Sequence, residues 1–412
     1  MRKSVVLLSL AAAVSMIAGS PRDILADSAD VLPKGVKKVG LTSNFFLPVQ
    51  DRYNEEGDKE PLATDFNEVL GGNIFPELSA IESAFGMPSG SANIGTSVVD
   101  FEYNFTEITF DFQYGLTDKL TVGLSAPYRF FKNKVSARVD TTKATVGLNP
   151  AYGTPADKFG VPVIPVAVGG VQNDDAATEF VLQTLEQGYG YDRLEDVSQQ
   201  GFLDISLGGR YQYFKNETWR LAVTAGVKVP TGKVDDPDNL ADFGFGSGTW
   251  TPFVNLNQDY VGIKNLVLNG TLRYNLLLPH KETLRVLISP DRPITADKEE
   301  VDRDLGDVME LECSGVYSLR RDLTASALYR YVHSLKDEVS GTQGFNYAAL
   351  EEDTDITEHV GIIGLSYSTL PLYQEKKFPV PLEFGISYRN RFAGKNNVNA
   401  SQYVGLTLGV YF

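Results

Sequence analysis

Apolar and polar residues alternate one for one along most of this chain. In 203–213, Leu203, Ile205, Leu207, Tyr211 and Tyr213 share one face, and Asp204, Ser206, Arg210 and Gln212 share the other. After Asn216, Trp219, Leu221, Val223, Ala225, Val227 and Val229 oppose Arg220, Thr224 and Lys228. Side chains of an extended strand point alternately to its two faces, so each such stretch is a strand with one apolar and one polar side. The pattern predicts twelve strands, at 36–46, 97–114, 120–138, 202–214, 219–230, 249–258, 265–278, 307–318, 323–336, 356–369, 380–392 and 401–412. In the second of them Phe101, Tyr103 and Phe105 run out of phase with Ile108, Phe110, Phe112 and Tyr114, which predicts a bulge near Thr106.

The connections sort into two kinds. Those at 115–119, 215–218, 259–264, 319–322 and 370–379 are short. Those at 47–96, 139–201, 231–248, 279–306 and 337–355 are long, and 393–400 is of intermediate length. Short and long connections alternate without a break. An even-stranded antiparallel membrane barrel needs this, with short periplasmic turns and long outer loops, and both termini then lie on the periplasmic side. A soluble β-sandwich also alternates, but an apolar face recurring on nearly every strand would leave it with too much exposed apolar surface. The fold class expected is therefore all-β: a transmembrane, antiparallel, up-and-down β-barrel of twelve strands with short helices in its outer loops. Two loop segments have helical spacing. One is 62–85, with Phe66, Val69, Leu70, Ile74, Leu78, Ile81 and Phe85. The other is 174–187, with an acidic start and Phe180, Val181 and Leu185 on one side. An apolar segment in an outer loop should be buried. The expectation for 62–85 is a gate folded into the lumen, the alternative being a cap beneath 174–187.

The ends of the chain agree with export to the outer membrane. Arg2 and Lys3 precede an apolar run from Val5 to Ile17, too short to span a bilayer, and then Ala18, Gly19 and Ser20. Residues 1–26 are expected to be a signal peptide and 27–412 a single barrel domain. The chain closes on Tyr411-Phe412, and Phe412 is the expected assembly signal read by the barrel-assembly machinery. The single cysteine, Cys313, rules out an internal disulfide. The net charge of −16, with no basic cluster, argues against nucleic acid as a partner.

Two stretches carry a family resemblance. Gly115-Leu-Thr-Asp118 opens a strand that ends at Pro127, Asp204 to Tyr211 forms a Gly-containing strand, and Pro230-Thr-Gly232 ends the next one. Together, 114–128 and 201–233 resemble outer-membrane barrels grouped as transporters of the MetA pathway of phenol degradation. The sequence departs from that pattern at Phe202-Leu203, where a glycine usually precedes the aspartate. These motifs encode turns and strand ends, so the resemblance implies fold and family more than substrate. It implies hydrophobic or aromatic compounds as solutes.

No catalytic constellation is present. The histidines are His280, His333 and His359; only His333 has a nearby serine, Ser334, and that serine faces the other way. One cysteine and scattered histidines offer no metal site, and neither a cofactor nor an enzymatic activity is expected. The chain does offer charge on its polar face. Lys38, Asp111, Asp204, Arg210, Arg220, Lys228, Arg273, Glu310, Glu312, Arg330, Glu383 and Arg389 are the candidates for lining and selectivity of a lumen. Such charges are costly toward lipid and tolerable inside. They can equally form a structural ladder of ion pairs. Acidic loop residues, among them Asp235, Asp242, Glu299 and Asp353, would ring the outer mouth as a solvated rim, or attract cations such as calcium.

The function expected is an outer-membrane, porin-like channel for passive uptake of small molecules. Its partners would be outer-membrane lipid, lipopolysaccharide and small-molecule solutes. Two alternatives belong to other classes. One is a barrel that sheathes a multihaem cytochrome or meets another periplasmic partner in an electron conduit; the other is a structural or adhesive barrel.

Overall fold

The computed structural model describes residues 27–288 and 292–412. The signal-peptide expectation for 1–26 lies outside them. Twelve antiparallel strands close into one barrel: β1 (Lys37–Phe46), β2 (Asn93–Thr117), β3 (Leu120–Asp140), β4 (Ile205–Lys215), β5 (Trp219–Val229), β6 (Thr251–Ile263), β7 (Leu266–Asn275), β8 (Val308–Ser318), β9 (Leu323–Ser334), β10 (Thr357–Ser368), β11 (Leu382–Lys395) and β12 (Gln402–Tyr411). Each pairs with its sequence neighbour, and β1 pairs with β12 to close the seam, Thr42 opposite Thr407. At the periplasmic rim Lys37 N–H donates to the Phe412 carbonyl (2.8 Å), and Phe412 N–H donates back to Lys37 (3.0 Å). Short turns link most strands on that side, and a helix, Leu370–Gln374, lies between β10 and β11; Asn265 takes a left-handed conformation (φ 63°) between β6 and β7, which asparagine tolerates.

The apolar face of the wall looks outward. Phe110, Leu272 and Ile363 are 53%, 49% and 61% exposed to the surroundings, while Thr109 and Thr271, the inward neighbours of the first two, are buried. An exposed apolar belt on a closed barrel is the surface that lipid covers, and closure removes the free strand edge that a bilayer could not satisfy. This is an outer-membrane β-barrel.

Strands β2 and β3 depart from expectation. They run for 25 and 21 residues, about twice the 9–11 that a tilted crossing needs, so their outer halves stand clear of the membrane. The predicted bulge near Thr106 is not there: the register is unbroken from Thr96 opposite Asp140 to Gly115 opposite Thr121. Phe101, Tyr103 and Phe105 therefore face the same way as Glu107, Thr109 and Asp111, which is inward. Within the bilayer the apolar side of this hairpin meets lipid; above it, the apolar side meets the outer loops.

The strand predicted at 202–214 is also two pieces. Val197–Phe202 pairs with Tyr128–Asn133 of β3, and the chain breaks at Leu203-Asp204 before β4 begins. Leu203 turns into the core there. The loops carry three small sheets of their own: His280–Arg285 with Lys298–Asp304 and Glu338–Ser340, Asp51–Tyr53 with Lys59–Pro61 and Val398–Asn399, and Val146–Leu148 with Val163–Pro165. Helix α1 spans Leu78–Phe85, and α2 spans Asp174–Gln183, N-capped by Asn173, whose side chain accepts from Ala176 N–H.

Candidate functional site

A segment missed in the sequence occupies one side of the lumen. Residues 27–36 leave β1 at the periplasmic rim and run up the inner wall as a peg. Asp27 is its tip. Its carboxylate accepts from Arg210 (2.7 Å), Asn255 (2.9 Å) and Arg273 (3.1 Å), and its carbonyl accepts from Asn257 Nδ2 (2.9 Å). Below it, Ser28 Oγ and Ala29 N–H donate to Asp259 (2.7 and 2.9 Å), and Arg220 donates to Asp30. Leu32 N–H donates to Thr121 Oγ1 (2.8 Å), and Gly35 N–H to the Gly115 carbonyl (2.7 Å). The backbone passes so close to Gly115 that a Cβ there would lie 2.0 Å from the Pro33 carbonyl oxygen. The alternation marks Asn255, Asn257 and Asp259 as inward polar residues; nothing in it says that another stretch of the same chain satisfies them.

The predicted charges divide between this peg, the wall and the loops. Arg210 and Arg220 hold the peg. Arg273 also donates to Glu310 (3.0 Å) and Glu312 (2.8 Å), and Glu312 accepts from Arg330 (2.6 Å), so these four form one buried ladder across β7, β8 and β9. Lys38 pairs with Glu383 (3.1 Å), which also accepts from Tyr411 Oη (2.8 Å). Arg389 lies 5.3 Å from the centre of the Tyr403 ring. Asp111 sits inward opposite Gly40, and Lys228 inward opposite Ser206. Asp204 is placed at the outer end of the wall, where its carboxylate accepts from Gly232 N–H (3.1 Å) and from Ser247 N–H and Oγ (both 2.9 Å). It ties down the loop 231–248. Phe412 stands at the periplasmic rim, its ring beneath Lys37 Nζ.

The wall facing the peg is different in kind. The peg's contacts centre on β5 and β6, and β11 and β12 lie diametrically opposite in the twelve-strand ring. There the inward positions at mid-wall are small, between the Lys38–Glu383 pair below and Arg389 with Tyr403 above. Thr42, Thr407, Gly385 and Ser366 are register partners across four adjacent strands, and so are Asn44, Gly405, Ser387 and Gly364 one step higher. A crescent between the peg and this glycine and hydroxyl wall is the candidate solute pathway.

Aromatic residues close its outer end. Phe101, Tyr103, Phe105 and Phe131 from the β2–β3 hairpin meet Phe243 and Phe245 from the loop 231–248, together with Leu62, Ala63 and Phe66. Phe105 lies 5.1 Å from both Phe131 and Phe243, centre to centre. Directly beneath, Arg129 pairs with Glu107 (3.3 Å), its guanidinium 5.4 Å from the Phe105 ring. The segment 62–85 is thus divided. Only Leu62, Ala63 and Phe66 enter the mouth. Leu70, Ile74, Phe75, Leu78 and Ile81 pack outside it, in a cap against Ala177 and Val181 of α2.

Several loop acids are rivets. Asp238 accepts from Arg285 and Lys298 (both 2.7 Å), and Arg285, 1% exposed, also donates to the carbonyls of Tyr189, Gly190, Pro237 and Thr295. Arg303 joins Glu282 (2.7 Å) to Asp337 (2.8 Å). Asp235 is the exception. Both oxygens of its carboxylate are buried without a hydrogen-bond partner. Burial, then the charges of Asp242 and Glu282, push its carboxyl well above the usual carboxylate range.

No protein-family model and no curated protein matches the chain. Among solved structures, the COG4313 outer membrane channel from Pseudomonas putida F1 aligns with a TM-score of 0.53 at 11% identity, over 95% of this chain and 100% of that one. At that identity the likeness is one of fold. A Pseudomonas aeruginosa FadL homologue aligns at a TM-score of 0.36 and 10% identity, over 92% of this chain and 90% of that one. The Pseudomonas putida toluene transporter TodX aligns at 0.35 and 10%, over 98% and 96%. Both scores are too low to argue from.

Proposed function

We propose that this barrel is an outer-membrane channel through which small solutes pass passively, along the crescent between the peg and the small-residue wall. The observation that carries this reading is the asymmetry of the lumen. One wall is tied up by the peg and its ion pairs, while the opposite wall presents two rows of glycine, serine, threonine and asparagine with no bulky side chain. A barrel built only for stability would pack that wall too. The fold shared with a solved outer membrane channel supports the reading. The MetA-pathway barrels that 114–128 and 201–233 resemble imply hydrophobic or aromatic compounds as the solutes. A sheath around a multihaem cytochrome fits the lumen poorly, because the peg and the aromatic mouth already fill much of it.

Liposome swelling tests the proposal. Vesicles carrying the purified barrel should swell in small neutral solutes, at rates that fall steeply with solute size, and Ser387→Trp should slow all of them at least tenfold. Swelling no faster than in protein-free vesicles would contradict a channel.

A further inference from the structure

Between the aromatic mouth and the cap lies a half-enclosed cavity of about 80 Å³. Phe66 and Val99, on its inner side, belong to the mouth. Leu70, Val139 and Val181, on its outer side, belong to the cap, and Leu185 completes the wall. Five polar residues border it; Asp65, Ser97 and Thr178 are engaged elsewhere, and Glu68 and Arg138 stand at its edge. Ser97 Oγ accepts from Glu68 N–H (3.0 Å) and donates to the Phe66 carbonyl (2.6 Å). Thr178 Oγ1 accepts from Val139 N–H (2.8 Å) and donates to the Asp174 carbonyl (2.7 Å). Asp65 is held by Arg52. A water entering here would find few of the two to four partners it needs. Protein interiors are otherwise close-packed, so an apolar void flanked by two well-packed clusters is a departure from the norm. A cavity of about 150 Å³ lined by Leu, Ile and Phe stays dry and accepts benzene or xenon. This one has about half that closed volume and is open on one side.

We infer that the cavity captures small, uncharged, apolar molecules outside the membrane and holds them against the aromatic cluster that closes the lumen. The inference rests on the channel reading for its purpose and on the cavity for its chemistry. Phe66 is the partition: it lines the cavity and stacks edge-on against Phe101 of the mouth, 5.0 Å between ring centres. A turn of Phe66 about its side-chain bonds would open the cavity onto Phe101 and the rest of that cluster. The apolar lining of Phe66, Leu70, Val99, Val139 and Val181 sets the specificity, since a polar substituent would be left unpaired on entry unless it reached Glu68 or Arg138 at the edge.

Crystals of the full chain pressurised with xenon test the inference. One xenon should appear against Val99, Val139 and Val181, and toluene should displace it. Val181→Phe and, independently, Val139→Phe should each abolish it by filling the space. No xenon in the wild-type cap would overturn the capture site, as would xenon undiminished in both folded variants. Planar-bilayer conductance of the same preparation reads the channel separately. A conducting barrel whose cap takes up no xenon overturns the capture site alone; xenon bound in a barrel that does not conduct upholds the site and removes the channel.

Discussion

Val227 and Thr407 stand on opposite faces of the wall. Val227 pairs with the outward Leu207, and Thr407 pairs with the inward Thr42. Val227→Arg places a charge in lipid and should cost about 2–4 kcal/mol of folding free energy, whereas Thr407→Arg, which reaches the lumen, should cost far less. Urea titrations of the two variants refolded in lipid vesicles measure this, and equal midpoints would mean that the faces are assigned wrongly. Asp235 supplies a pH dependence. The native state holds its proton more tightly than the unfolded chain does. That advantage is full below the ordinary carboxylate range near about 4 and is lost as pH rises through the raised native value. Asp235→Asn should therefore leave loop 231–248 about as resistant to protease as wild type at pH 4, and more resistant at pH 8. A difference that shrinks as pH rises would refute the assignment. The inward placement of Arg273 or Glu312 can be read from alternation alone. The orphaned carboxylate of Asp235 cannot, because it depends on Asp242 and Glu282, and Glu282 comes from a different loop.

The β2–β3 hairpin shows where reading by element succeeds and where it stops. Alternation locates the hairpin and its turn at 117–120, because each residue's side follows from its parity. It does not say what the apolar side touches. Phe101 and Phe110 are both apolar and of opposite parity, and the simplest account of that is a bulge. In fact the environment changes along a straight strand, from lipid at Phe110 to loop core at Phe101. The peg escapes detection for a related reason: Asp27 to Gly35 has no periodicity, and the partners of Asp27 lie 183 to 246 residues away in sequence. Its seat predicts a phenotype. Asp27→Ala removes charge-assisted hydrogen bonds to Arg210 and Arg273, each of a kind worth roughly 1.5–3 kcal/mol. Arg273 keeps Glu310 and Glu312, and the twelve strands keep their pairing. The variant should fold with unchanged heat stability, and its amides at 28–32 should exchange hydrogen much faster than in wild type. Exchange unchanged from wild type would mean that the peg is held by its backbone contacts and that Asp27 is incidental.

At the scale of the molecule, one closed wall serves two environments. The belt from Phe110 to Ile363 meets lipid, and the extended hairpin with its loops builds a roof over the lumen. Closure leaves no free edge, so the barrel should run at an anomalous position on gels until boiled, and one position before and after boiling would contradict a closed barrel. The roof, the peg and the small-residue wall together make the central claim, that solutes travel along the β11–β12 side. Modification of introduced cysteines in planar bilayers tests it most directly. In a Cys313→Ser background, a charged methanethiosulfonate reagent should block the current through Thr407→Cys. It should leave Thr271→Cys unaffected, since Thr271 lies behind the peg, its hydroxyl 3.2 Å from the Asp27 carbonyl. Block at Thr271 with none at Thr407 would place the pathway on the wrong side of the lumen and contradict the account.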